Sequence, residues 1–487
     1  MFNGRNLAAM AFAVAVIVGA SLQLRADSGA TLVDAIRNGD AKAVQVLVKD
    51  PKEVNAVAAD GTTALHWAAY LDDPTSTSEL IRAGAKATAA DRYGITPLLL
   101  AGTNGNAALM EMLLKAGANP NDARADGETA LMTVARTGNA EAVNALIKHG
   151  ANPNAKERSR DQTALMWAAA EGHTAAVRAL VAGGANLRER ERAGFTAFLF
   201  AVRAGRAETV RALLDLGADV NEATTLAPAG GRQMFINRTR GSSGPPALVL
   251  AVANAHFELA SMLLDRGADP NLAPHGWTAL HQVTWVRKPG FGGNNPAPEG
   301  SGSMSSIDLV KKLVEKGANV NARMTRKADM QSTNLNCVDA TPFLLASWAR
   351  DVELMRLLVK LGADPLLPNA DYTTPLLAAA GVGTYSPGDD PGTEAEVIDA
   401  VKLTLELGNN VNAIDDNDET AMHGAAYRSV PGVVRVLAEH GARPDVWNQK
   451  NGYGWTPLMI AQGVRRQNNV HSSPETAAVI RDLLGLR

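Results

Sequence analysis

Cysteine is almost absent from this 487-residue chain. Cys337 is the single copy, so no intramolecular disulfide can form and the fold must be held by packing. With one cysteine there is no CxxC pair and no CxxCH haem attachment, and Cys337 itself reads as a loop or small core residue. Aromatic residues are scarce at 5%, which suits thin, closely packed helices. Neither sign of charge dominates: 47 Lys and Arg face 50 Asp and Glu. A nucleic-acid-binding surface needs a basic face, so wholesale nucleic-acid binding is excluded. Catalytic spacings are missing too. There is no GxxxxGK[ST], no HExxH and no GxSxG. The acidic run Asp415-Asp416-Asn417-Asp418-Glu419 lacks the glycine and the distal glutamate of a calcium loop. No cofactor or metal is therefore expected.

Long apolar runs are missing except at the amino terminus. Leu7 to Val18 is uninterrupted and follows Arg5, with small residues at Gly19-Ala20 and Ala26. The run is short of the roughly 20 residues a membrane span needs. It reads as a signal peptide cleaved after Ala20 or Ala26. The expectation is an exported, periplasmic or secreted protein with no membrane span after cleavage. No cysteine lies near the cleavage site to take a lipid anchor.

What the chain does have is one sentence written repeatedly. The stretch from Asp126 to Asn154 reads DGETALMTVARTGNAEAVNALIKHGANPN. It holds a turn, a short helix from Thr129, a Gly138-Asn139 break, a second helix to Lys148 and a stop at Gly150. Two short helices cannot bury their own apolar faces, so such units must stack on one another. The stop glycines are Gly84, Gly117, Gly150, Gly184, Gly217, Gly267, Gly317, Gly362, Gly408 and Gly441. Their intervals are 33, 33, 34, 33, 50, 50, 45, 46 and 33. The helix-opening threonines keep the same beat: Thr63, Thr96, Thr129, Thr163 and Thr196, then Pro246 in place of Thr, then Thr278, Thr341, Thr374, Thr420 and Thr456.

The period and the wording resemble the ankyrin repeat. The opening motif stands as TALH at Thr63 and Thr278, TAMH at Thr420, and TPLL or TPLM at Thr96, Thr374 and Thr456. The closing motif stands as GADVN, GANVN, GADPN and GANPN. Eleven units match, preceded by an atypical one. The resemblance implies an all-α ankyrin-repeat solenoid with finger loops, a monomer, and a protein partner on its concave face. It also makes His66, His281 and His423 structural. The organisation read here is a signal peptide (1–26), an amino-terminal capping unit (27–57), regular repeats (58–223), repeats with long insertions (224–450) and a carboxy-terminal capping repeat (451–487).

The insertions are rich in Gly, Pro and Ser, as in PGFGGNNPAPEGSGS at 289–303, and read as loops. By the geometry the resemblance implies, additions between repeats (222–244, 322–338) flank the groove. Additions between the helices of one repeat (286–305, 382–394, 464–473) emerge at the other edge. The large aromatics at fingertip or helix-end positions crowd into the second half, and aromatic anchors are the usual carriers of binding energy. Partner contacts are therefore expected from Trp277, Trp285, Trp348, Tyr427 and Trp455, with Arg232, Arg238 and Arg326 as a basic rim. The function expected is a non-enzymatic binding scaffold with its partner over repeats about 245–460. An inhibitor, an immunity-type protein or an accessory subunit of an envelope enzyme would use the same surface.

Overall fold

The computed structural model describes residues 31–225, 243–288, 298–326, 334–384, 390–464 and 472–486. The stretch read as a signal peptide, Arg232, Arg238 and the middles of the insertions lie outside them. The chain divides into two compact units, residues 1–155 and 156–487.

Both units are built from helix pairs. In the first unit they are Leu32–Arg37 with Ala41–Leu47, Ala64–Tyr70 with Pro74–Arg82, Pro97–Asn104 with Ala107–Lys115, and Ala130–Thr137 with Ala140–Lys148. In the second unit the run begins with Ala164–Glu171 and Thr174–Ala182 and ends with Pro457–Ala461 and Pro474–Leu483. Within each unit, inner (first) helices stack on inner helices, and outer (second) helices on outer ones. Leu131, Ala135, Val143 and Leu146 are buried in the copy read above, as are the corresponding residues of its neighbours.

The sequence motifs do their work locally. Thr129 has extended backbone, and its Oγ1 accepts from the Met132 amide at 3.3 Å, satisfying one of the free amides of the helix start. Where the fourth motif residue is His, the cap is reciprocal. His66 Nδ1 accepts from the Thr63 amide (3.1 Å), so Nε2 carries the proton and donates to the Ile95 carbonyl of the next finger (3.0 Å). His281 and His423 repeat this toward the Ala340 and Gln449 carbonyls. Burial holds both rings neutral, with pKa values pushed down to about 4. The closing asparagine links repeats in the same way: Asn121 donates to the Gly150 carbonyl (2.9 Å) and accepts from the Asn152 amide (2.8 Å).

The insertions leave through short necks. Ala223–Thr225 pairs antiparallel with Ser243–Pro246. Met324 and Ala340 close a second neck, the Met324 amide donating to the Ala340 carbonyl at 3.0 Å. The segment 298–305 behaves as expected. It lies along the start of an outer helix, with Ser301 on His256 and Ser303 on Glu258.

One placement is corrected. The addition after Ala380 does not stay apart from the finger insertion 322–338, because the Asn334 amide donates to the Gly383 carbonyl at 2.8 Å. The inner helix Pro375–Ala380 is six residues long, against eight in Ala130–Thr137. The chain therefore departs early, at left-handed Gly381 and Gly383. Gly383 also admits the close approach: a Cβ there would sit 2.7 Å from that of Leu335.

Candidate functional site

The residue before the motif threonine, at the fingertip, is largely occupied with its own helix. Trp67 Nε1 donates to Thr62 Oγ1 (3.3 Å), Thr133 Oγ1 to Glu128 (2.7 Å), Trp167 Nε1 to Gln162 (3.0 Å), and Trp277 Nε1 to Gln282 (3.0 Å). Each pair is five residues apart, a spacing that sets the finger side chain against the end of the helix's first turn. Phe195 and Phe200 make the apolar version, with centroids 5.4 Å apart. A fingertip side chain is therefore not automatically free for a partner.

The aromatic cluster of the second half is partly a core. Trp348 is 1% exposed, packed with Met324, Leu335, Cys337, Leu344, Leu345 and Ala378. The insertion segment 334–340 lies over it. Trp348 is thus corrected from a partner contact to a core residue, because the insertion brings apolar side chains of its own. Trp277 and Trp285 pack at the edge of this cluster, edge-to-face at 5.6 Å, with His275 against Trp277 at 4.1 Å. Both tryptophans are half-buried.

Tyr427 is corrected likewise. It is 9% exposed, and its hydroxyl donates to Glu419 Oε1 at 2.7 Å. Asn451 Nδ2 donates to the same oxygen (2.9 Å) and to the tyrosine (2.8 Å), closing a triangle between two repeats. Burial raises the Glu419 pKa to about 7, with the Asp415 charge adding to the rise. Asp415 is itself inward-facing: it accepts from the Asn417 and Glu419 amides and from Thr373. The acidic run is a finger turn.

Trp455 and Arg326 remain at the surface. Trp455 is half-buried and stacks on Tyr453 at 5.2 Å. Arg326 is exposed beside Gly276 and makes no ion pair among the described residues.

Two arginines escaped the sequence reading. Arg350 lies nine residues after Thr341, as Gly138 lies nine after Thr129, and it keeps the left-handed backbone (φ 56°). That conformation costs a side-chain-bearing residue about 1–2 kcal/mol. Its Nε and Nη2 donate to the Ala379 and Ala378 carbonyls, capping the shortened helix beyond. Burial pushes its pKa down to about 9. Arg428 grips the far side of the same insertion, donating to the Asp390, Pro391 and Gly392 carbonyls (3.0, 3.1 and 2.6 Å). For Arg350 the available signal was an arginine where other copies carry glycine; Arg428 stands one residue before that position, which left-handed Ser429 holds in its repeat. Arg428→Ala is expected to expose 381–393 to limited proteolysis while the repeats stay folded; an unchanged cleavage map would refute the clamp.

A further basic site forms where the fingers of the early second unit meet an inner helix. Arg203, at the end of Ala197–Arg203, lays its guanidinium 4.7 Å from the Phe195 ring and 4.9 Å from Phe200. Burial lowers its pKa, the charge of Glu191 opposes the fall, and Arg160 of the preceding finger adds a smaller push downward.

No helix among the described residues is long and apolar enough to cross a membrane. The sequence profile of ankyrin repeats (three copies) matches residues 32–124, 72–157, 131–224 and 394–471. Among curated proteins, ankyrin repeat and SOCS box protein 16 of Mus musculus is 33% identical over 124 residues, 25% of each chain. Putative E3 ubiquitin-protein ligase XBAT35 of Arabidopsis thaliana is 32% identical over 112 residues, 23% of this chain and 21% of that one. The chain thus spans a quarter or less of the length of these relatives.

Proposed function

The chain belongs to the ankyrin-repeat family, and from that premise we propose that it is a non-enzymatic protein-binding scaffold. Its partner is held on the finger and inner-helix face of repeats about 245–460. The observation that carries this placement is the last finger. Tyr453 is 47% exposed and stacked on Trp455. The finger beneath them is rigid: Asn451 Oδ1 accepts from the amides of both aromatics (3.1 Å each), and the Gly452 amide donates to the Asn417 carbonyl (2.7 Å). A large aromatic surface on a preorganised support binds without an ordering cost. Trp277 and Arg326 belong to the same face. Trp348 and Tyr427 do not contribute.

The run Leu7 to Val18 supports export, and the partner is accordingly sought in the cell envelope or outside the cell. Affinity capture from envelope fractions is the test, using full-length protein and a Tyr453→Ala/Trp455→Ala variant. A partner recovered in stoichiometric amount by the native protein and lost from the variant is expected. Equal recovery by both, or no recovery by either, would count against the placement. Amino-terminal sequencing of the protein from its own cells should begin after Ala20 or Ala26; an intact amino terminus would count against cleavage.

A further inference from the structure

The fingers at 156–161 and 188–192 carry six basic residues against four acidic ones. The acids are all engaged. Glu157 turns inward onto the Ser159, Arg160 and Gln162 amides. Asp161 pairs with Arg192, Glu189 with Lys156, and buried Glu191 accepts from the Phe195 amide. Glu222 beyond them takes Arg190 and the Thr196 hydroxyl. The cations are not all matched. Arg160 and Arg188 are exposed and Arg203 is half-buried, and none of the three makes an ion pair or side-chain hydrogen bond among the described residues.

Arg203 is the most specific of these. Two phenylalanine rings hold its guanidinium in place and exclude part of its water. Buried Glu191 favours its charge from nearby but makes no ion pair with it and is already held by the Phe195 amide, so the donor edge of the guanidinium has no carboxylate on it. A planar guanidinium fixed this way offers a paired-donor edge that suits a carboxylate. Half-buried Phe195 stands beside it as apolar surface. Resting on the scaffold reading above, we propose that the surface around Arg203, Phe195 and Arg160 docks an acidic segment of a partner protein, one carboxylate of which is taken by Arg203. A protein segment suits this surface better than a nucleic acid. The whole chain carries a net charge of −3, which repels a polyanion, while one preset guanidinium beside apolar rings fits a single carboxylate with a neighbouring apolar side chain.

The test uses full-length protein on an array of fifteen-residue peptides of graded acidic, neutral and basic composition, with single-stranded oligonucleotides as a second probe. Acidic peptides should bind preferentially and lose affinity as salt rises. Their affinity should fall about tenfold or more in Arg203→Ala. It should fall severalfold in Arg160→Ala, an exposed position whose change leaves the fold intact, and stay unchanged in Arg211→Ala on an outer helix. Arg203→Lys should recover part of the loss, since charge returns without the planar edge. Preference for neutral or basic peptides, preference for the oligonucleotides, no binding of acidic peptides, or equal affinity in Arg203→Ala with an unchanged thermal melt would each overturn the proposal. The envelope capture experiment judges the scaffold reading independently.

Discussion

Trp348→Ala should destabilise the repeats around it by about 3–5 kcal/mol, the usual cost of emptying a large aromatic site in a core. The residue is 1% exposed, and Met324, Leu335 and Cys337 of the insertion neck close over it. Its neighbours cannot collapse into the space easily, because the inner helices on either side are fixed by their own stacks. Global unfolding is a poor readout in a repeat array, where sections unfold separately. Hydrogen exchange resolved to 334–384 is the better one. Faster exchange there, with residues 32–148 unaffected, is the expected result. Normal protection in the variant with loss of partner binding would restore Trp348 to the surface role its position in the repeat suggests.

The second large effect concerns pH. Glu419 has a folded pKa of about 7, raised from 4.5 mainly by burial. The native state therefore favours the protonated carboxyl. The stability it contributes is complete below pH 4.5 and is lost as pH rises to about 7. The change amounts to about 3 kcal/mol at most, taking 1.36 kcal/mol per pKa unit. Burial pushes Asp415 in the same direction. Glu419→Gln keeps an oxygen to accept from Tyr427 and Asn451 and removes the charge. The variant should match the native protein near pH 5 and exceed it near pH 8, with a flatter profile between. Hydrogen exchange resolved to 410–461 in increasing denaturant, at several pH values, measures it. A native profile that is flat from pH 5 to 8, or a Gln variant that tracks it, would show that Glu419 is ionised throughout.

These two residues mark where reading by position fails. Trp348 and Tyr427 both stand seven residues after the motif threonine, at the same helix-end position as Trp285. That position faces a groove in a plain array. Whether it stays open depends on what the insertions do, and insertion contacts have no period to read. Gly383 meets Leu335 across 48 residues, and Asn451 reaches Glu419 across 32. Fingertip positions show the same limit. Glu128 is a charged residue at the tip of its finger, yet it is buried, held by Thr133 and by Arg136 at 3.8 Å.

The sequence alone determined the helix pairs, their caps and their stops. Each depends on residues within about ten positions of one another: Thr with the amide three residues on, Gly in the left-handed turn, Leu and Ala one helical turn apart. Repetition then made stacking inevitable, since no single pair can bury its own apolar face. The tertiary structure decided which side chains of that stack meet solvent. Arg203 gained its orientation from Phe195 and Phe200, Arg350 and Arg428 closed on one insertion, and Trp348 went under another. Those outcomes rest on desolvation and on contacts between distant segments, and a period of 33 residues carries no information about either.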